Sequence, residues 1–245
     1  MRLPRSAALF LLAARLATAD GSSPDPRFRV GPRLAQDDFK HGLDLWSVEL
    51  ERGGAVRAEG GELTIDVPGG CTVWLKQELD GPVLIEYEAT PIGRGGANDR
   101  VSDLNNFWMA RDTRSPEDLF ATIRSGVFAD YDFLKCYYVG LGGNGNTTTR
   151  FRRYVGEPGN RPLRDEHDLS AVDVLLRANV SQRIQLLAAG QQVAYYRDGR
   201  RLFELDDSDP YTSGWFALRT TQNHMSVRRF RVHSLRSAAP PKHSR

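Results

Sequence analysis

Apolar residues recur at every second position in short runs, and turn-forming residues separate the runs. In residues 83–90, Val83, Ile85, Tyr87 and Ala89 share one face while Glu86 and Glu88 share the other. That period of two marks a strand buried on one side. Runs of the same kind span 45–50, 55–58, 62–67, 71–77, 104–111, 136–141, 147–154, 183–188, 191–197, 201–205, 214–221 and 225–235. Between them stand Gly53-Gly54, Gly60-Gly61, Gly69-Gly70, Gly81-Pro82, Gly190 and Asp198-Gly199, residues that tight turns and hairpins use. Short strands at roughly ten-residue spacing predict an all-β sandwich or barrel. Alternation places Asn106, Trp108 and Ala110 on one face, and sets Arg150, Arg152 and Tyr154 opposite Phe151. In the last run it turns Phe230 and Val232 inward and Arg229, Arg231 and His233 to solvent. One helix is expected over 115–124, where Ser115 can cap and Glu117 and Asp118 suit a first turn.

The patterned region runs from Asp37 to Arg236 with no internal repeat, so a single domain over 37–236 is expected. Residues 20–36, rich in Pro, Gly and Ser, read as a linker or extended arm, and 237–245 as a tail. Residues 1–19 combine Arg2 and Arg5, an apolar run over 7–14 and the small-x-small Ala17-Thr18-Ala19, the pattern of a removable export leader, with Arg15 interrupting it. That run is too short to span a bilayer, and no other run qualifies, so no membrane partner is expected. The 245 residues carry a net charge of +2, but without Arg2, Arg5 and Arg15 there are 30 basic against 31 acidic side chains. Nothing in that balance calls for nucleic acid. The two cysteines, Cys71 and Cys136, suit either a disulfide in an exported protein or two buried small residues. With no His pair nearby they make no zinc site.

Residues 135–154, KCYYVGLGGNGNTTTRFRRY, have a composition that no core element needs. A strand enters a Gly/Asn turn at 142–146 whose residues tolerate positive φ. A second strand leaves it carrying Arg150, Arg152 and Tyr154 on one side. Guanidinium groups and a phenol on a sheet surface, beside Asn144 and Asn146, suit a polar, anionic ligand.

A domain that opens DDF, LWSVELE and GGELTIDVPGG, carries VAYYRDGRRLFELDD and closes GWFALRTTQNHMSVRRFRV resembles the concanavalin-A-like lectin/glucanase superfamily. The motifs NDRVSDLNNFWMAR, YYVGLGGNGNTTTRFRRY and RPLRDEHDL resemble one secreted bacterial family within it, of poorly defined function. That family is similar to jelly-roll proteins of rhamnogalacturonan and other polysaccharide utilisation clusters. The resemblance covers 37–235. It implies a jelly roll of two antiparallel sheets and a polysaccharide or oligosaccharide on the concave sheet, and assigns no reaction.

Three chemistries fit the residues. Elimination on a uronate needs donors that neutralise the substrate carboxylate and groups that move protons. Arg150 and Arg152, with Asn144 and Asn146, offer the donors; Tyr138, His224 and His167 offer the proton carriers. The same arginines read equally as a cross-strand ion-pair ladder, and His224 as a loop histidine. Hydrolysis needs paired carboxylates. The Glu-x-Asp-x-(x)-Glu strand of the superfamily's glucanases is absent, which leaves Glu86 with Glu88, ~7 Å apart along a strand, or Asp99 with Asp103 beside Arg100. Plain sugar binding would use Trp74 and Trp108 as stacking faces, with Asn105 or Asn106 and Lys76 as donors, although a strand tryptophan equally serves a core. No cofactor is expected, except that Asp37-Asp38 and Asp206-Asp207-x-Asp209 are oxygen-rich enough to hold a structural Ca2+. The reading carried forward is an exported polysaccharide lyase acting on an acidic glycan, with a glycoside hydrolase and a non-catalytic binding module as alternatives.

Overall fold

The structure, a computed structural model, describes residues 22–238; the leader expected over 1–19 lies outside the described residues. The strands are β1 (Phe28–Asp37), β2 (Trp46–Leu50), β3 (Ala55–Glu59), β4 (Glu62–Val67), β5 (Cys71–Leu75), β6 (Leu79–Asp80), β7 (Val83–Pro91), β8 (Leu104–Asp112), β9 (Leu134–Gly142), β10 (Thr148–Val155), β11 (Asp168–Leu169), β12 (Gln182–Ala189), β13 (Gln192–Arg197), β14 (Arg200–Asp206), β15 (Ser213–Thr220) and β16 (Asn223–Ser237). They form two antiparallel sheets. The first runs β14-β13-β12-β7-β16-β4-β3 with β1 also on β16; the second runs β11-β10-β9-β8-β15-β5-β2 with β6 also on β15. The sheets pack face to face in the jelly-roll sandwich that the strand pattern and motifs predicted.

Period-two alternation builds the core between them. Leu63, Ile65, Ile85, Val227 and Phe230 from the first sheet meet Val73, Trp108, Val139, Phe216 and Leu218 from the second. Asn106 belongs to this core. Its amide exchanges hydrogen bonds of 2.9 and 2.8 Å with the Tyr87 hydroxyl of the facing sheet. It is a buried link between sheets, which corrects its expected role as a sugar donor.

Two bulges reset the alternation. Met109 takes a positive φ of 51° where the β8–β9 register shifts, so Trp108 and Met109 both face the core. Ala110 then joins Phe107 on the outer face instead of Trp108 on the inner one. Arg229, with φ of 56°, does the same in β16 between Arg228 and Arg231, and Val227, Phe230 and Val232 all reach the core. His233 is 2% exposed rather than solvated, because Phe28–Asp37, read from sequence largely as a linker, is a strand that pairs with β16 and sets Arg33 opposite it. The helix expected over 115–124 is a single turn, Leu119–Ala121, capped by the Asp118 carboxylate, which accepts from Phe120 N at 2.9 Å.

Cys71 faces the inter-sheet core and Cys136 the outer side of the second sheet. Their strands are separated by β15 and β8, roughly 14 Å at the usual strand spacing, beyond disulfide reach. Both are free and buried.

The second sheet is apolar on its outer side as well. Residues 113–133 lie across it, and Leu119 and Tyr131 pack with Trp74, Phe107, Tyr138 and Trp215 into a second buried cluster. This covering segment decides how much of the sheet remains open.

Candidate functional site

The open part of that outer face lies over β8, β9 and β10, where Asn105, Gly140 and Arg150 sit side by side in register. A pocket of about 310 Å3 opens there, with Tyr138, Arg152, Tyr154, Asp103 and Thr221 among its walls. Gly140 makes room for the chemistry: a Cβ built on it would meet the Tyr138 hydroxyl at 2.9 Å, so the phenol lies across the glycine. Burial pushes the Tyr138 pKa upward, and the nearby Asp103 charge pushes it further. The phenol is therefore protonated at neutral pH.

Asp103 enters through a positive φ of 57° and is tied to the turn by its amide, which donates to Gly142 O at 3.0 Å. Its Oδ2 accepts from Ser102 Oγ and from Thr221 Oγ1, the latter at 3.0 Å, with Arg100 Nη2 at 3.7 Å. Arg100 also donates to Thr221 Oγ1 at 3.1 Å, which fixes it at the pocket rim. Asp103 is the single carboxylate among the described lining residues.

Three arginines border the pocket. Arg150 grips Asp168, its partner across the ladder, through Nε at 2.7 Å and Nη2 at 3.0 Å. That bond raises the pKa of Arg150 and lowers that of Asp168. The ladder reading thus holds for this edge of the Arg150 fork, even though the residue lines the pocket. Arg161 is held by Asp132 (2.6 Å from Nε) with its guanidinium 4.3 Å from the Phe128 ring. Arg152 donates only to the Arg161 carbonyl and has no carboxylate partner among the described residues. It is the one guanidinium of the three with no salt bridge among the described residues.

Two atoms here lack hydrogen-bond partners, Asn105 Oδ1 and the Tyr154 hydroxyl, on residues only 2% and 1% exposed. Buried polar atoms are almost always satisfied, so a pair of orphans in a pocket points to a ligand. Sequence reasoning left Asn105 and Asn106 as alternatives, and the core bond of Asn106 to Tyr87 settles which amide is outside.

Other expected site residues lie elsewhere. His224 is on β16 in the first sheet, where its outer-face neighbours are Ser226 and Arg228. Its Nδ1 donates to Asp99 Oδ1 at 2.7 Å. Hydrogen bonding from Arg94 N, then from His224, lowers the Asp99 pKa to about 2. This pair fastens the 91–99 loop, and neither His224 nor Asp99 lines the pocket that holds Tyr138 and Asp103, which corrects the expected catalytic trio. His167 packs edge-on against Phe151 at 4.8 Å and donates to Glu204 O at 3.1 Å. Burial lowers its pKa; it is structural.

Trp74 and Trp108 are both fully buried, which corrects the stacking-platform reading. Trp74 stacks on Phe107 at 5.8 Å and donates to Glu49 at 3.0 Å beneath the covering segment; Trp108 packs between Tyr137 and Phe151. Lys76 donates to the Asp44 carbonyl at 2.9 Å, away from the pocket. Asn146 clamps the Leu176 backbone through both amide atoms, at 2.8 and 3.0 Å, and so shapes the turn rather than facing a ligand. Asn144, at φ of 54°, stays on the pocket wall and donates to Thr148 Oγ1 at 3.1 Å.

Glu86 is paired with Arg183 at 2.7 Å and Glu88 with Arg229 at 2.8 Å, on the outer face of the first sheet. No group of three or more potential metal ligands occurs among the described residues. Asp207 accepts from Tyr137 and Arg153, both at 2.8 Å, and Asp37 accepts from Trp46 Nε1 at 2.7 Å. No helix among the described residues is long and apolar enough to cross a membrane.

Solved structures share the fold at low sequence identity. A protein of unknown function with galectin-like fold from Bacillus subtilis is 17% identical, with a TM-score of 0.66 over 86% of this chain and 100% of that one. Beta-agarase A from Zobellia galactanivorans is 11% identical, with a TM-score of 0.56 over 89% and 96%. The carbohydrate binding module CBM66 from Bacillus subtilis is 12% identical, with a TM-score of 0.53 over 78% and 96%. The likeness is one of fold, a sandwich of two antiparallel sheets. No curated protein matches the chain. A family model matches residues 65–230, and the chain belongs to the family described as Domain of unknown function (DUF6250).

Proposed function

We propose that this is a carbohydrate-active protein that takes a uronate-bearing glycan in the pocket over β8, β9 and β10 and cleaves it by β-elimination. The observation that carries the reading is the gathering of an unpaired guanidinium, a protonated phenol, one carboxylate and two unsatisfied buried acceptor or donor atoms in one pocket. Among proteins of similar fold are a carbohydrate binding module and a beta-agarase, which supports a sugar ligand.

Arg152, assisted by Arg161 and Asn144, meets the substrate carboxylate and stabilises the enolate that forms when the adjacent carbon loses its proton. Asp103 accepts that proton. Tyr138, held neutral by burial, donates its own to the glycosidic oxygen as the bond to it breaks. The products are a new hydroxyl end and an unsaturated uronate. Hydrolysis by paired carboxylates would need a second acid within roughly 5–9.5 Å, and Asp103 has no such companion lining the pocket. The export leader read in residues 1–19 would place the protein where extracellular glycans are met.

The test is incubation with a panel of acidic polysaccharides, rhamnogalacturonan included, with ultraviolet absorbance and reducing ends followed together. Rising absorbance that is lost in Tyr138→Phe supports elimination. New reducing ends without absorbance would overturn it in favour of hydrolysis, and retention on the glycan without new ends would leave a binding module.

A further inference from the structure

We propose that the pocket receives the end of a glycan chain and not an internal segment; this rests on the acidic-sugar reading above. A glycan lying along the sheet would have to continue from β10 across β8 and β15 toward β2. Beyond Tyr138 and Phe107 that surface is taken by residues 113–133. Tyr131 stacks on Phe107 at 5.4 Å and its hydroxyl donates to Glu49 at 2.6 Å. The fully buried side chain of Arg124 holds Glu49 at 2.9 Å and Asp112 at 3.2 Å, and Arg219 donates to Gly126 O at 2.7 Å. Lifting this segment would strand several buried charges, which costs far more than a sugar contact returns. The segment is a wall and not a lid.

The wall reaches the pocket as Phe128 with Arg161 stacked on it. On another side the 142–146 turn stands up from the sheet, held by the Asn146 clamp on Leu176 and bearing Asn144 toward the pocket. The enclosed volume of about 310 Å3 falls at the low end of the roughly 300–1,000 Å3 typical of ligand pockets, room for a ring or two. Asn105 and Tyr154, whose Oδ1 and hydroxyl are buried without partners, are among the residues lining the pocket, and a terminal ring brings hydroxyl groups that both donate and accept. A through-running chain needs two open ends, and the 113–133 segment closes the one toward β15 and β2.

Calorimetric titration with defined-length oligomers and polymers of galacturonate, mannuronate and glucuronate tests this. The expected result is one protein bound per chain whatever its length, affinity that stops rising after two rings, and loss of binding when a bulky fluorophore caps one particular end. Stoichiometry that grows with chain length, or binding indifferent to caps on either end, would overturn the chain-end reading while leaving the acidic-sugar reading intact. Failure of every uronate oligomer to bind at any length would overturn the acidic-sugar reading itself, and this inference with it.

Discussion

Among the residues, Tyr138 lines the pocket while Trp74 and Trp108 are enclosed in the interior. Tyr138→Phe keeps the ring in the buried cluster and removes one hydroxyl. The expected outcome is a wild-type melting temperature with kcat lowered about 10²–10⁴-fold, the usual weight of a positioned acid, and little change in KM. Trp74→Ala and Trp108→Ala should each cost about 3–5 kcal/mol of stability in chemical denaturation, because both rings are fully enclosed. The tryptophans show why the residue level was partly illegible. A strand tryptophan stacks on a sugar only if its face is open, and the outer face of the second sheet is itself roofed. Residues 71–75, CTVWL, are buried at every position, Thr72 included, a roof that the alternating pattern read there does not show. His224 was misplaced for a different reason. Nothing in the sequence says which of the two sheets its strand joins.

At the scale of elements, strands were legible because burial on one side forces period two, and their ends were set by Gly, Pro and Asp-Gly turns. The bulges were not, because Met109 and Arg229 adopt left-handed backbone that their side chains do not advertise. The covering segment was read as a helix because capping residues are local, whereas its position is fixed by buried partners far along the chain. Arg124→Met should leave Glu49 without its cation and Asp112 with Arg114 alone, and destabilise the protein by about 3–5 kcal/mol, with limited proteolysis opening first within 113–133. Gly126 sits at φ of +84°, and a Cβ there would stand 2.5 Å from Glu51 N. Gly126→Ala should therefore cost about 1–3 kcal/mol of strain and loosen the same segment. Gly140→Ala tests the pocket alone: its Cβ would displace the Tyr138 hydroxyl, so activity should fall with the fold intact.

At the scale of the whole molecule, the sandwich presents two outer faces of different character. The outer face of the first sheet is tiled with ion pairs, Glu86 with Arg183, Glu88 with Arg229 and Glu62 with Arg228, and the Asp99–His224 pair fastens a loop at its end. The Asp99 pKa is lowered from 3.8 to about 2, so its contribution to stability is fully present above pH 3.8 and is lost as pH falls through about 2. The difference in denaturation midpoint between the wild type and Asp99→Asn should shrink as pH falls from 3.8 through about 2. The second sheet combines a sealed apolar half with the cationic pocket, and the fold brings the motifs around Asp103, Tyr138 and Arg152 to that one place. Sequence placed Tyr138 and Arg152 on two strands joined by one turn; the strand order β10-β9-β8-β15 brings Asp103 and Thr221 to them.

The measurement closest to the central claim is calorimetric affinity for the acidic oligosaccharide that binds best, compared between the wild type and Arg152→Ala. Arg152 supplies the one guanidinium at the pocket without a carboxylate partner among the described residues, and a charged hydrogen bond is worth about 1.5–3 kcal/mol. The account predicts affinity about ten- to a hundredfold lower, an unchanged melting temperature and weaker salt dependence. Equal affinity in the two proteins would contradict it and move the ligand away from this pocket.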